Sequence, residues 1–102
     1  MIINDEAKNV VTGTAFITLV TINADGTPHP IIAGKGEVDG DTVVFGIYKM
    51  EKTQKNILAN NHASIVACTV TDAGPKGYRL TGTALAKEKQ LIFSALNAEE
   101  LL

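Results

Sequence analysis

The stretch "ADGTPHPIIAGKGEVDGDTVVFGIY", residues 24–48, decides the fold. Asp25-Gly26 is the strongest short hairpin signal a chain can carry, because the tight turn needs positive φ, which glycine adopts at little cost. Asp39-Gly40-Asp41 marks a second tight turn. Between them, Pro28 to Val38 reads as one strand that begins at an edge or bends, since Pro28 and Pro30 cannot donate ladder hydrogen bonds. Gly34 and Gly36 mark a bulge or a close backbone approach. After the second turn, "TVVFGIY" (Thr42 to Tyr48) is rich in β-branched and aromatic residues, the composition of a strand.

Working outward, the strand signals continue on both sides. Upstream, Thr14 to Asn23 is a β-branched run, and Ile3 to Val11 reads as a short helix. Asn4 or Asp5 can cap that helix, and its first-turn acids suit the dipole. Downstream, Glu51 to Asn61 has good helix formers, with Asn60 and Asn61 as stop residues. Ala63 to Thr71 is the fourth strand, Asp72 to Gly77 a loop, Tyr78 to Ala86 the fifth strand, and Gln90 to Asn97 the sixth after a Lys87–Lys89 turn. Ala98 to Leu102 reads as a short helical or frayed tail. Six short antiparallel strands at close spacing predict a mainly β domain, a barrel or sandwich, with one or two short helices.

The chain has 102 residues, of which 45% are hydrophobic, enough for one domain with a packed core. A net charge of −2 lacks the broad basic face that nucleic-acid binding needs. Three Phe and two Tyr, spread through apolar strands, do not build a stacking platform for single-stranded nucleic acid. The lone Cys68 excludes an internal disulfide and a multi-cysteine zinc site, and its place in "ASIVACTV" predicts burial. "MIINDEAKNV" carries acids where a signal peptide would carry bases, and no apolar run approaches a membrane span. The expectation is a soluble cytoplasmic protein with neither nucleic-acid nor membrane partner.

Self-contained catalytic machinery would need grouped His, Asp, Glu, Ser or Cys. His29 lies between two prolines, and His62 follows "ANN" in a predicted loop; neither has metal-ligand spacing. No catalytic side chain and no metal site is assigned, so chemistry would come from a bound cofactor. The candidate site is "YKMEKTQKN", Tyr48 to Asn56. A helix starting near Met50 or Glu51 offers unpaired N–H groups and a positive dipole end, which attract phosphate. Lys49, Lys52 and Asn56 share one predicted helical face, Lys55 lies part-way off it, and Thr53 adds a hydroxyl. Two readings follow: an anion site for a phosphate monoester, or a solvated lysine face on a surface helix.

The ordered set "DG-x-P-H", an apolar strand, "DGD", a second apolar strand and "KTQKNI" resembles the pyridoxamine 5′-phosphate oxidase-like family of FMN-binding split β-barrels, within it the small FMN-binding proteins. The match runs from about Phe16 to Ala86. The resemblance implies a six-stranded split barrel whose FMN phosphate is held by Lys52 and Thr53. It places the ribityl chain and one side of the ring along Gly46, Ile47, Tyr48, Lys49 and Met50. The ring edge would meet main-chain groups of Pro30, Ile31, Ile32 and Ala33. It also implies a homodimer with flavin at the interface, for which Asp72 to Tyr78 is a candidate covering segment, and a structural role for Asn56. The expected activity is electron transfer or reduction of a small substrate, with the redox partner unidentified. The competing expectation is a cofactor-free β-barrel binding or assembly module. One departure stands out: the family's helix before the last strand is missing, because "TGTALA" passes through "KEK" directly into "QLIFSALN".

Overall fold

The computed structural model describes residues 1–102. Its elements, in order, are α1 (Asp5–Thr12), β1 (Ile17–Ile22), β2 (Pro28–Ala33), β3 (Glu37–Asp39), β4 (Thr42–Gly46), α2 (Glu51–Ala59), β5 (His62–Thr71), β6 (Gly74–Lys87) and β7 (Gln90–Glu100). Asn4 caps α1 by accepting from the Ala7 N–H at 2.8 Å. Gly26 and Gly40 take the positive φ that the two turns require, 86° and 59°.

All seven strands form one antiparallel sheet in the order β2-β1-β5-β6-β7-β4-β3. The outermost strands, β2 and β3, are consecutive in sequence and joined only by residues 34–36. So short a link spans at most about 14 Å, so the sheet must curl until its two ends nearly meet. No ladder closes that seam, which makes this a split barrel. Gly36 shows how tight the crossing is. A Cβ there would lie 2.7 Å from Val43 Cγ1, a clash, and 3.3 Å from Ile17 Cδ1, a tight contact, so a side chain would meet both sides of the barrel.

Inside the curl, alternate residues of each strand bury. Ile17 and Leu19, Val43 and Phe45, Ile65, Leu80, and Leu91 and Phe93 are all fully enclosed within a 19-residue apolar core. Ala7, Val10 and Val11 of α1 join that core. There the Tyr78 hydroxyl donates to Glu6 Oε1 at 2.6 Å, pinning α1 to β6. Further along β6, α2 sets Thr53, Asn56 and Ile57 against the barrel. Neither helix is long and apolar enough to cross a membrane.

Several sequence expectations change. The predicted second strand divides, because Gly34–Gly36 leaves the ladder to cross the seam; this raises the strand count from six to seven. The Asp72–Gly77 loop shrinks to a turn at Asp72-Ala73, and β6 starts at Gly74, whose φ of 106° supplies the turn. The tail is strand and not helix. β7 pairs with β6 as far as Glu100, and the Leu101 N–H donates to Gly77 O at 2.8 Å. His62 opens β5 instead of lying in a loop. Cys68 is exposed, since the alternation of β5 turns it away from the core.

Candidate functional site

β4 ends at Gly46, and the four residues Ile47–Met50 carry the chain to α2. This strap is divided by burial. Ile47 and Met50 pack against the core, whereas Tyr48 is 83% exposed and Lys49 is also exposed. Ile47 N–H donates to Lys89 O in the β6–β7 turn at 2.8 Å. Lys49 and Met50 both take left-handed φ, 65° and 57°. For residues other than glycine this costs about 1–2 kcal/mol each, so the surroundings must hold the strap in place. Lys49 therefore does not share the helical face that spacing assigned to it; it lies in a left-handed turn before the helix.

The start of α2 has no side-chain cap. Its first intrahelical bond is Gln54 N–H to Met50 O, at 2.9 Å, so the N–H groups of Glu51, Lys52 and Thr53 have no partner within the helix. In this first turn Thr53 is 1% exposed, and its Oγ1 is buried with no hydrogen-bond partner. A buried, unpaired hydroxyl costs about 1–3 kcal/mol, so it is a feature that calls for an explanation.

Lys52 projects from the exposed face of α2 into a cleft of about 560 Å³. Asn23, Ala24 and Asp25 of the β1–β2 turn line one side, and Glu51, Lys52, Lys55 and Asn56 the other. Asp25 is held below the usual carboxylate range first by the Thr27 hydroxyl and then by the Thr27 N–H; Lys52 adds the smallest contribution. Asn56 is 6% exposed, and its amide donates to Thr21 Oγ1 at 3.1 Å and to Asn23 Oδ1 at 3.0 Å. It ties the helix to β1, the structural role expected of it.

Pro30, Ile31, Ile32 and Ala33 lie on β2, an edge strand whose outer backbone groups have no ladder partner. Ile31 and Ala33 face inward, while Ile32 is 66% exposed. β2 and β4 are not ladder neighbours, so Pro30–Ala33 and Gly46–Met50 reach one region only through the curl of the sheet. The largest cavity, about 850 Å³ between the end of α2 and the β6–β7 hairpin, contains none of the predicted residues and no charged side chain. It therefore offers phosphate no counter-charge. Sequence reasoning missed Asn23 and Asp25 as walls of the lysine cleft, and Gln54, whose amide donates to Lys49 O at 3.0 Å. A turn distant in sequence gives no local sign that it faces a helix.

The donors suit a phosphate monoester: free helix N–H groups, an unpaired buried hydroxyl and an exposed lysine. An antiparallel barrel open along one seam, with such a helix start beside it, belongs to the split-barrel class. The chain belongs to the pyridoxamine 5′-phosphate oxidase family, whose model matches residues 3–99. No curated protein matches it in sequence. Among solved structures, HupZ from Group A Streptococcus is 20% identical with a TM-score of 0.79, over 99% of this chain and 100% of that one. An FMN-binding protein from Syntrophomonas wolfei is 13% identical with a TM-score of 0.81, over 96% and 85%. A heme binding protein from Mycobacterium smegmatis is 16% identical with a TM-score of 0.80, over 95% of this chain and 52% of that one. At these identities the likeness is one of fold.

Proposed function

We propose that the chain is a cytoplasmic FMN flavoprotein that transfers electrons or reduces a small substrate, with the flavin held between two copies of the chain. The observation that carries this reading is the buried, unpaired Thr53 Oγ1 in the first turn of a helix with open N–H groups. A phosphate oxygen would satisfy both. Lys52 supplies the charge, and Lys49 stands at the same helix start. Gly46, the Ile47–Met50 strap and the free edge of Pro30–Ala33 would flank the ribityl chain and ring. FMN, when bound, supplies the redox chemistry, and the residues around it set orientation and access.

The sheet's outward face supports pairing with a second copy. Val20, Ile32, Val44, Val66, Leu85 and Ile92 alternate with the core residues and point away from the barrel. Ile32 and Leu85 are 66% and 58% exposed. Leu85 of β6, Ile92 of β7 and Val44 of β4 are direct ladder partners, an apolar cluster of the kind that serves association.

The test is the visible spectrum and solution mass of the purified protein, with and without added FMN. The expected result is a yellow dimer near one flavin per chain, and loss of flavin with unchanged circular dichroism in the Lys52→Ala/Thr53→Ala variant. Unchanged flavin content in that variant would remove both residues from the site. A colourless protein that ignores FMN would overturn the reading in favour of a cofactor-free barrel, and a Soret band would redirect it to haem.

A further inference from the structure

The left-handed pair Lys49 and Met50 needs an external hold, and one residue supplies two bonds to it. The Gln54 backbone N–H donates to Met50 O at 2.9 Å. The Gln54 side-chain amide reaches back to Lys49 O at 3.0 Å. Both carbonyls of the pair are thus drawn towards the body of α2.

This has a directional consequence. No peptide bond in the chain is cis. In a planar trans peptide the C=O and the following N–H point in opposite directions. Turning the Lys49 carbonyl towards Gln54 therefore turns the Met50 N–H away from the helix body. Turning the Met50 carbonyl does the same to the Glu51 N–H. With the N–H groups of Lys52 and Thr53, which have no partner within the helix, they place four donors where left- and right-handed residues adjoin, the setting in which backbone concavities bind anions.

We propose that Gln54 is a positioning residue: its side-chain amide clasps the Lys49 carbonyl and holds the Ile47–Met50 strap in the form that presents backbone N–H groups to a phosphate at the start of α2. Gln54 itself does not touch the ligand. The inference rests on the FMN reading above, and it adds a reason why the strap is strained. The unpaired Thr53 Oγ1 in the same turn is the independent sign of a ligand there.

The test is a double-variant cycle in the intact chain, read by FMN fluorescence quenching and by trypsin cleavage after Lys49. Gln54→Ala is expected to weaken FMN binding about tenfold, the effect of losing one net hydrogen bond. It should also speed cleavage after Lys49 without FMN, while circular dichroism stays unchanged. Lys49→Gly lets that position adopt positive φ without strain. In that background, adding Gln54→Ala should change FMN affinity less than about twofold if the clasp acts on the strap. Gln54→Glu keeps the length, loses the donor and should match Gln54→Ala, which preserves the test should the alanine variant fold poorly. Parent-like FMN affinity in Gln54→Ala would overturn the clasp and leave the flavin reading intact. Equal losses in the two backgrounds would also overturn it. A parent chain that binds no FMN would overturn both readings.

Discussion

On the proposed reading, Thr53 carries opposite demands without and with a bound phosphate. Its hydroxyl is enclosed without a partner, so the ligand-free fold bears the cost of desolvating it. Thr53→Val removes that hydroxyl and keeps the branched shape. The expected outcome is a gain of about 1–3 kcal/mol in the ligand-free protein, measured by urea unfolding, together with weaker FMN binding. A loss of stability would mean that Oγ1 has a partner and is not waiting for one. Asn56 is the contrasting residue in the same helix. Both hydrogens of its amide are engaged, with Thr21 and Asn23, so it serves the fold and has no donor left for a ligand.

At the scale of elements, α1 is docked by apolar packing and by one polar bond, Tyr78 to Glu6. That bond, then burial, then the charges of Glu6 and Glu100 push the Tyr78 phenol from 10.0 up to about 12. The folded protein therefore keeps this proton to higher pH than the unfolded chain does. The stability it contributes is complete below pH 10 and is lost as pH rises through about 12. Urea unfolding should show the parent losing stability over this window more steeply than Tyr78→Phe; equal slopes would sink the assignment. The β6–β7 pair has a different weak point. Its register shifts between Thr81 and Gly82, and a Cβ on Gly82 would collide with the Ser94 backbone carbonyl, so only glycine fits there.

For the whole molecule, the proposed pairing of two copies rests on the outward sheet face. Leu85 lies on it at 58% exposure, opposite Ile92 in the ladder. Within a lone subunit Leu85→Glu should cost less than about 0.5 kcal/mol, because the side chain already meets water. If two copies pair through this face, the same change places a carboxylate in an apolar contact. The expected result is a shift from dimer to monomer by light scattering, with flavin lost in parallel. A dimer that keeps its FMN would move the interface elsewhere.

The fold was legible from local signals. Asp25-Gly26 and Asp39-Gly40-Asp41 mark turns, the β-branched runs mark strands, and "INDEAKNVV" carries its own cap, because turn, strand and cap preferences act within a few residues. The division of the second strand was harder to see. Gly34 and Gly36 were legible as a break or close approach, but only the curl of the sheet shows that the chain crosses a seam there. Cys68 was misjudged for a related reason, since which face of β5 turns inward depends on its neighbours in the ladder; His62 joins β5 because it pairs with Thr83 of β6. At the site, composition and the family resemblance singled out Lys52 and Thr53 as a pair. The tertiary structure gives them different surroundings: Thr53 is buried and unpaired, and Lys52 is exposed on a cleft beside Asp25. It also moves Lys49 off the helix and brings in Gln54. By itself the sequence determined the elements and the chemical character of a possible anion site, because those depend on residue type and short spacing. Only the tertiary structure decided which groups are left unpaired, which backbone N–H groups face outward and which apolar face stays open, because each depends on contacts between residues far apart in the chain.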